Sequence, residues 1–206
     1  MGPVGPVVYS GPVSQALNAL SFLLSETSPS RLGAAAAEVA FVGRSNSGKS
    51  SLINALCRRD VARVSSTPGR TRTINVYVAG GDRWVVDLPG YGFAVGTAES
   101  RAGWGEMIEG YLAGRAALRA VFVLIDAQLG PTALDRQMLD WLRSRGLPWR
   151  VVAAKADRVK PSQAAARRKD GAAALGLGPA DLLWISSKDG AGLRELHKEV
   201  AGLLGL

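Results

Sequence analysis

A single cysteine, Cys57, leaves no partner for an internal disulfide. Its place on a helix-like stretch reads as a small buried side chain rather than a reactive thiol. Histidine is as scarce: His197 stands alone, on the last helix-like stretch, where it is expected to be exposed and has no catalytic role. No run of about eighteen apolar residues occurs, which argues against a membrane-spanning helix. The segment from Met1 to Gly11 lacks a Lys/Arg-led apolar leader. Pro6 stands where an N-myristoylation signal needs Ser or Thr. Together these absences lead us to expect a cytoplasmic protein.

What is present is apolar and basic. Hydrophobic residues make up 47% of the 206, enough for one buried core. The formal net charge is +8. Such a balance suits contact with nucleic-acid phosphates and equally a merely solvated basic surface.

Residues 1–37 are rich in Pro, Gly, Ser and Ala and read as an arm, with a short helix over 14–24 capped by Ser14. The pattern changes at Glu38. Buried-strand patterns run over 38–43, 73–78, 83–87, 120–126, 150–154 and 182–185. Gly80, Gly81 and Asp82 form a hairpin turn between the second and third of these. Helical patterns run over 49–58, 132–145, 162–174 and 192–204. In the second of them Leu134, Met138, Leu139 and Leu142 recur at core spacing. Trp84, Trp141 and Trp184 read as core. The alternation argues for an α/β fold in three layers: a mainly parallel, six-stranded sheet with helices on both faces, one domain over 38–206.

Gly43, Arg44, Ser45, Asn46, Ser47, Gly48, Lys49 and Ser50 match G-x-x-x-x-G-K-[ST] between a strand and a helix, the pattern of a phosphate-binding P-loop. Glycines let backbone amides turn toward an anion, and the helix N-terminus adds its positive end. Lys49 supplies charge for the terminal phosphates, and the Ser50 hydroxyl suits Mg²⁺. Ser51 continues the helix beside them. Asn46 is a candidate for holding a monovalent cation such as K⁺ and, equally, for a plain loop hydrogen bond. Asp87, Leu88, Pro89 and Gly90 fit D-x-x-G at a strand end. Asp87 is placed to hold the Mg²⁺ shell, and the Gly90 amide to reach a γ-phosphate.

Ala154, Lys155 and Asp157 resemble the guanine-reading N/T-K-x-D signature. A carboxylate at 157 can accept two hydrogen bonds from guanine that adenine cannot donate. Ala154 departs from the expected Asn or Thr and removes a bracing hydrogen bond, which points to weaker affinity with base choice kept. Ile185 ends the last strand, and Ser186, Ser187 and Lys188 follow it where a backbone amide would meet guanine O6. The motifs occur in one order, each at the C-terminal end of a strand, where open α/β sheets bind ligands.

The run from Glu38 to Asn54, with Ser66-Thr-Pro-Gly-Arg-Thr71 and Val86-Asp-Leu-Pro-Gly-Tyr-Gly92, resembles the EngB family of bacterial GTPases, within the TrmE–Era–EngA–EngB–Septin-like group. The resemblance covers about residues 14–204. It implies a Ras-like G domain, Mg²⁺-dependent binding of GTP and GDP, slow hydrolysis, assembly of the large ribosomal subunit, and a part in cell division and septation. Thr67, Thr71 and Thr73 are alternatives for a second Mg²⁺ ligand; the resemblance picks Thr71, with Gly69 and Arg70 beside the γ-phosphate.

Tyr91 follows Gly90, where many GTPases carry the Gln that orients water; a phenol serves that purpose poorly. No general base is assigned, and Lys49 stabilises transition-state charge. Residues 91–104 are expected to form a mobile switch, with Trp104 either an anchor or core. Arg167, Arg168 and Lys169 form a basic patch, either solvated or in contact with rRNA. The chain is expected to be a monomer. Two other readings are an ATP-using P-loop enzyme and an RNA-binding module with structural nucleotide.

Overall fold

The computed structural model describes residues 15–62, 73–91 and 98–206, with backbone alone for 98–104. Ser14, the expected helix cap, lies outside them, as does the side chain of Trp104. Six strands of the sheet lie where the hydrophobic pattern puts them: β2 (Ala37–Gly43), β3 (Ile74–Val78), β4 (Arg83–Asp87), β5 (Leu118–Asp126), β6 (Trp149–Ala154) and β7 (Leu182–Trp184). A seventh, β1 (Ser21–Glu26), falls where a helix was expected. The helix there, α1, is confined to Gln15–Asn18. The sheet order is β1-β3-β4-β2-β5-β6-β7.

Strand β3 runs antiparallel to β1 and β4, while β4, β2, β5, β6 and β7 are mutually parallel. Parallel strands covered on both faces must be apolar throughout, and β2 is buried at every position. The turn between β3 and β4 uses Gly80 and Gly81 at φ +76° and +56°, the left-handed pair that a tight hairpin requires.

Side chains of β2 alternate between two cores. Ala40 and Val42 face one side, with Ile108, Tyr111 and Leu112 of α3 (Ala98–Gly114), Leu139 and Leu142 of α4 (Ala133–Ser144), and Ala172 of α5 (Pro161–Ala173). Val39 and Phe41 face the other, with Leu52, Ile53, Leu56 and Cys57 of α2 (Lys49–Cys57) and Leu196, Val200 and Leu204 of α6 (Leu193–Leu204). Phe41 stacks on Phe122 across neighbouring strands, ring centroids 5.0 Å apart. Cys57 is buried, as its sequence position suggests. Trp84 is buried, and Trp141 and Trp184 are half-buried against the core.

Three expectations fail for identifiable reasons. Leu134 sits at a helical core spacing but is 39% exposed, because α4 turns Leu139 and Leu142 inward instead. The pattern of residues 98–114 reads as no helix because its glycines resemble breakers, yet α3 forms there with Ile108, Tyr111 and Leu112 buried at i, i+3 and i+4; residues 92–97 of the expected switch lie outside the described residues, and its mobility stays an expectation. His197 is buried at 6% exposure rather than exposed, and among the described residues neither ring nitrogen has a hydrogen-bond partner.

Beneath α3 lies a buried charge. Glu38 is fully buried and accepts from the Tyr111 hydroxyl at 2.6 Å and from Arg115 Nε at 3.0 Å. The second arm of Arg115 pairs with the same carboxylate and donates to Gly33 O at 2.8 Å.

Two predictions follow from these buried groups. Arg115→Ala strands the Glu38 carboxylate and should destabilise the fold by about 3 kcal/mol in chemical denaturation. Burial, with the positive charge of Arg58, pushes the His197 imidazole below its ordinary pKa. A depressed histidine pKa means that the unfolded chain binds the extra proton first. Stability is therefore full above the unfolded value of about 6.5 and falls as pH drops below it. His197→Leu should flatten that acid slope in melting curves between pH 7 and the folded-state pKa.

Candidate nucleotide site

The register of parallel strands gathers the motifs at one edge of the sheet. Strand β2 ends at Gly43 and α2 starts at Lys49, so residues 43–48 must reverse direction within a few residues. Gly43 has no room for a side chain: a Cβ would lie 2.6 Å from Ser47 Oγ and 3.0 Å from the Leu124 carbonyl. Gly48, the residue before the helix, takes φ +96°, and Asn46 takes φ +65°. The loop thus presents the first amides of α2, which have no intrahelical partner, toward its own concavity. Ser47 Oγ is buried there with no partner among the described residues. A cradle that a Cβ would fill, with an orphaned hydroxyl in its wall, fits an anion.

Lys49 is 7% exposed and forms an ion pair with Asp87. Ser50 Oγ donates to the other oxygen of the same carboxylate, at 3.3 Å. Asp87 comes to this point because β4 runs parallel to β2 with Phe41 opposite Asp87. A hydroxyl and a carboxylate side by side form a hard-oxygen pair. That is what Mg²⁺ takes from protein when phosphate and water complete its shell.

The chain after Asp87 folds over the loop. Leu88 and Pro89 are buried. Gly90 packs so closely that a Cβ would stand 3.0 Å from Ser45 N. Tyr91 N donates to Gly43 O at 3.0 Å, and Ser45 N donates to Tyr91 O at 3.3 Å. The tyrosine ring turns away from the loop into the interior, where its hydroxyl donates to Asp135 Oδ1 at 2.7 Å. The hydroxyl is therefore committed to Asp135 rather than free to orient a water. Arg44 and Ser51 are half-buried at the two ends of the loop.

On the far side, Lys155 takes the left-handed conformation at φ +61°. Its ammonium donates to Asn46 O at 2.5 Å and to Asp126 Oδ2 at 2.8 Å. Asp126, the last residue of β5, was not picked out from the sequence. The visible signal is a charged residue closing an apolar strand before a Gly-Pro turn. Its other oxygen accepts from the amides of Gln128 and Leu129. Burial alone would raise the Asp126 pKa, but Lys155 and these amides outweigh it and hold the carboxyl below the usual range.

Asp157 is oriented by Ser186, whose hydroxyl donates to Asp157 Oδ1 at 2.9 Å. Ser186 Oγ in turn accepts from the amides of Lys188 and Asp189, each at 3.2 Å. Ala156 N donates to Ile185 O at 3.0 Å and ties the two loops together. Ala154 is buried at the end of β6 and offers no polar side chain. A cavity of about 420 Å³ lies between the C-terminal turn of α2 and Ser187, with Ser51, Arg58 and Arg59 in its wall.

The structure thus brings together the phosphate-loop residues, Asp87 to Gly90, Lys155, Asp157 and Ile185 to Ser187. Gly69, Arg70 and Thr71 lie outside the described residues, so the choice of Thr71 stays an expectation. Thr73, weighed as its alternative, donates its hydroxyl to Asn75 Oδ1 at 3.2 Å. Within the basic patch, Arg168 donates to the carbonyls of Pro179 and Leu182, both at 2.9 Å, and acts as a structural tie. Arg167 and Lys169 are exposed.

Comparison with known proteins agrees with this geometry. The profile of a family described as 50S ribosome-binding GTPase matches residues 38–155. A probable GTP-binding protein EngB from Pelotomaculum thermopropionicum is 44% identical over 171 residues, 82% of this chain and 86% of that protein. One from Geobacter sulfurreducens is 46% identical over 151 residues, 73% of each chain. Among solved structures, a probable GTP-binding protein engB aligns with a TM-score of 0.66 at 24% identity, covering 82% of this chain and 99% of that one. Era in complex with MgGDPNP and a segment of 16S ribosomal RNA aligns with a TM-score of 0.65 at 23% identity, over 84% of this chain and 58% of that one. At these identities the two structures speak for the fold alone; the curated relatives and the family profile carry the assignment. The chain belongs to the EngB family of GTP-binding proteins and is a GTPase.

Proposed function

We propose that this GTPase is a slow, Mg²⁺-dependent switch that assists assembly of the large ribosomal subunit, in the cytoplasm and as a monomer, and through it supports cell division and septation. The nucleotide-binding motifs lie within residues 38–206, and of the preceding arm 1–37 residues 21–26 add the edge strand β1 to the same sheet. The carrying observation is the meeting of Lys49, Ser50 and Asp87 beneath the Gly90 turn, with Asp157 held by Ser186 on the far side of the loop. The family description favours the ribosome as partner. A net charge of +8 suits a phosphate-rich surface.

In this reading the amides of residues 45–51 bind the phosphates and Lys49 exchanges Asp87 for the terminal phosphates. Ser50 and Thr71 would be the protein ligands of Mg²⁺, and Asp87 would hold it through water. The ion supplies charge neutralisation as the phosphoryl group leaves. The Gly90 amide meets the γ-phosphate, and Gly69 and Arg70 lie beside it. Lys155 lays its stem along the base, Asp157 accepts from guanine N1–H and N2–H₂, and the loop at Ile185, Ser186 and Ser187 faces O6. Asn46, exposed on the loop, is the residue that would hold K⁺. Among the described residues no helix is long and apolar enough to cross a membrane.

Slow hydrolysis is supported by Tyr91, whose hydroxyl is committed to Asp135. The isolated protein should turn over below about 0.01 s⁻¹ in a single-turnover phosphate-release assay. A faster rate would mean that a water-orienting group other than residue 91 acts in this chain.

Asp157→Asn should lower GTP affinity on the order of 100-fold, through two lost charge-assisted hydrogen bonds, and raise affinity for xanthosine triphosphate. Competition against labelled GDP measures both, and unaltered base preference would remove Asp157 from the pocket. Large ribosomal subunits should retain the protein on pelleting with a non-hydrolysable GTP analogue and release it with GDP. Equal retention with both would favour an RNA-binding module in which nucleotide is structural.

A further inference from the structure

Tyr91 and Asp135 are buried together, 6% and 1% exposed, although neither is assigned a nucleotide contact. The Tyr91 hydroxyl donates to Asp135 Oδ1 at 2.7 Å. The other oxygen, Oδ2, accepts from the backbone amide and the hydroxyl of Thr132, at 2.7 and 2.8 Å. Among the described residues no Lys or Arg forms an ion pair with Asp135. Its charge is met by these three donors and by the first turn of α4, whose dipole favours an anion. Burial and the neighbouring carboxylate push the Tyr91 phenol well above its ordinary pKa, so it remains a donor.

The backbone of Tyr91 is fixed as firmly as its ring. Its amide and carbonyl bond to Gly43 and Ser45 on either side of Arg44, a parallel bridge between the two loops. Tyr91 is therefore pinned at three points, two on the phosphate loop and one on α4. Gly90, one residue earlier, has little freedom while those points hold.

We propose that Asp135 is a positioning residue for GTP: through the Tyr91 hydroxyl it holds the Gly90 amide against the phosphate loop, and so sets the preference for nucleoside triphosphate over diphosphate. The inference rests on the reading of Gly90 as the γ-phosphate donor. An amide ordered before the ligand arrives loses less entropy on binding. A diphosphate makes no contact with Gly90, so the benefit goes to the triphosphate alone. The residue in the glutamine position thus serves recognition through its hydroxyl and leaves water to other groups.

The test compares affinities for GDP and for a non-hydrolysable GTP analogue, by fluorescence titration of the full chain with Mg²⁺. Tyr91→Phe should weaken the analogue about tenfold and leave GDP within about twofold, the size of one lost hydrogen bond to a charged group. Asp135→Asn keeps a polar partner for the hydroxyl and should retain the wild-type ratio. The double variant Y91F/D135N breaks the link without burying an unpaired carboxylate, so it should fold, and its ratio should match that of Tyr91→Phe. Gly90→Ala, which forces a Cβ onto Ser45, tests the underlying reading. An unchanged ratio in Y91F/D135N alongside a reduced one in Gly90→Ala overturns the role of Asp135 and leaves Gly90 in place. An unchanged ratio in Gly90→Ala removes both. Equal weakening of GDP and analogue in Y91F/D135N would reduce the contact to a structural one and also sink the proposal.

Discussion

A lysine and an aspartate locked together under a loop are an expensive arrangement, and the site is organised around that fact. Lys49 and Asp87 are both buried, and each would be costly without the other. The sheet imposes their meeting: Lys49 opens α2 directly after β2, and Asp87 closes β4, the parallel neighbour of β2. A pair with these surroundings is suited to exchange. In the proposed reading an incoming phosphate would take the ammonium while hydrated Mg²⁺ would offset the carboxylate, so both buried charges would keep a partner throughout. Coulomb energy is then redistributed rather than lost, which a surface ion pair could not offer.

The same parallel edge explains why so much of the site could be read from sequence. The phosphate loop is a local motif, and each position has a local reason. A Cβ on Gly43 would clash with Ser47 Oγ and crowd Leu124, and Gly48 takes a left-handed backbone. The strand patterns were legible because β2, β4, β5 and β6 are almost continuously buried, and burial on both faces leaves only apolar residues. Asp157 and Ser186 could be named because each closes or follows such a strand. Their direct hydrogen bond needed the structure.

The failures share a cause: they lie where tertiary partners override a local pattern. Leu17, Leu20 and Leu24 have helical spacing, yet residues 21–26 pair with β3, with Ser25 donating to Asn75 at 2.8 Å. The edge of β3 was open to a strand, and no property of residues 14–24 announces it. Helix α3 was missed because Gly103, Gly105 and Gly110 lower its propensity. It is stabilised instead by the apolar face of Ile108 and Leu112 and by the Tyr111–Glu38 contact, a partner 73 residues away. The last helix reads as carrying His197 on its exposed side, yet α6 buries it along with Leu196 and Val200. Asp126 and Asp135 were overlooked because each acts on a residue distant in the chain, Lys155 and Tyr91.

Ala154 shows how such distant contacts bear on the proposed base pocket. A hydroxyl or carboxamide at this position would brace the loop from within, and alanine provides neither. The loop is nonetheless tied at three places: Ala156 N to Ile185 O, Asp157 to the Ser186 hydroxyl, and Lys155 to Asn46 O and Asp126. The last of these reaches the phosphate loop itself, so base side and phosphate side are joined by one lysine. Asp126 keeps the Lys155 ammonium aimed at this junction by offering a carboxylate that stays ionised below the ordinary range. What alanine removes is therefore one brace among several. The bonds that remain act on the backbone and on the Asp157 carboxylate, so in the proposed reading Ala154 would bear on affinity rather than on base choice.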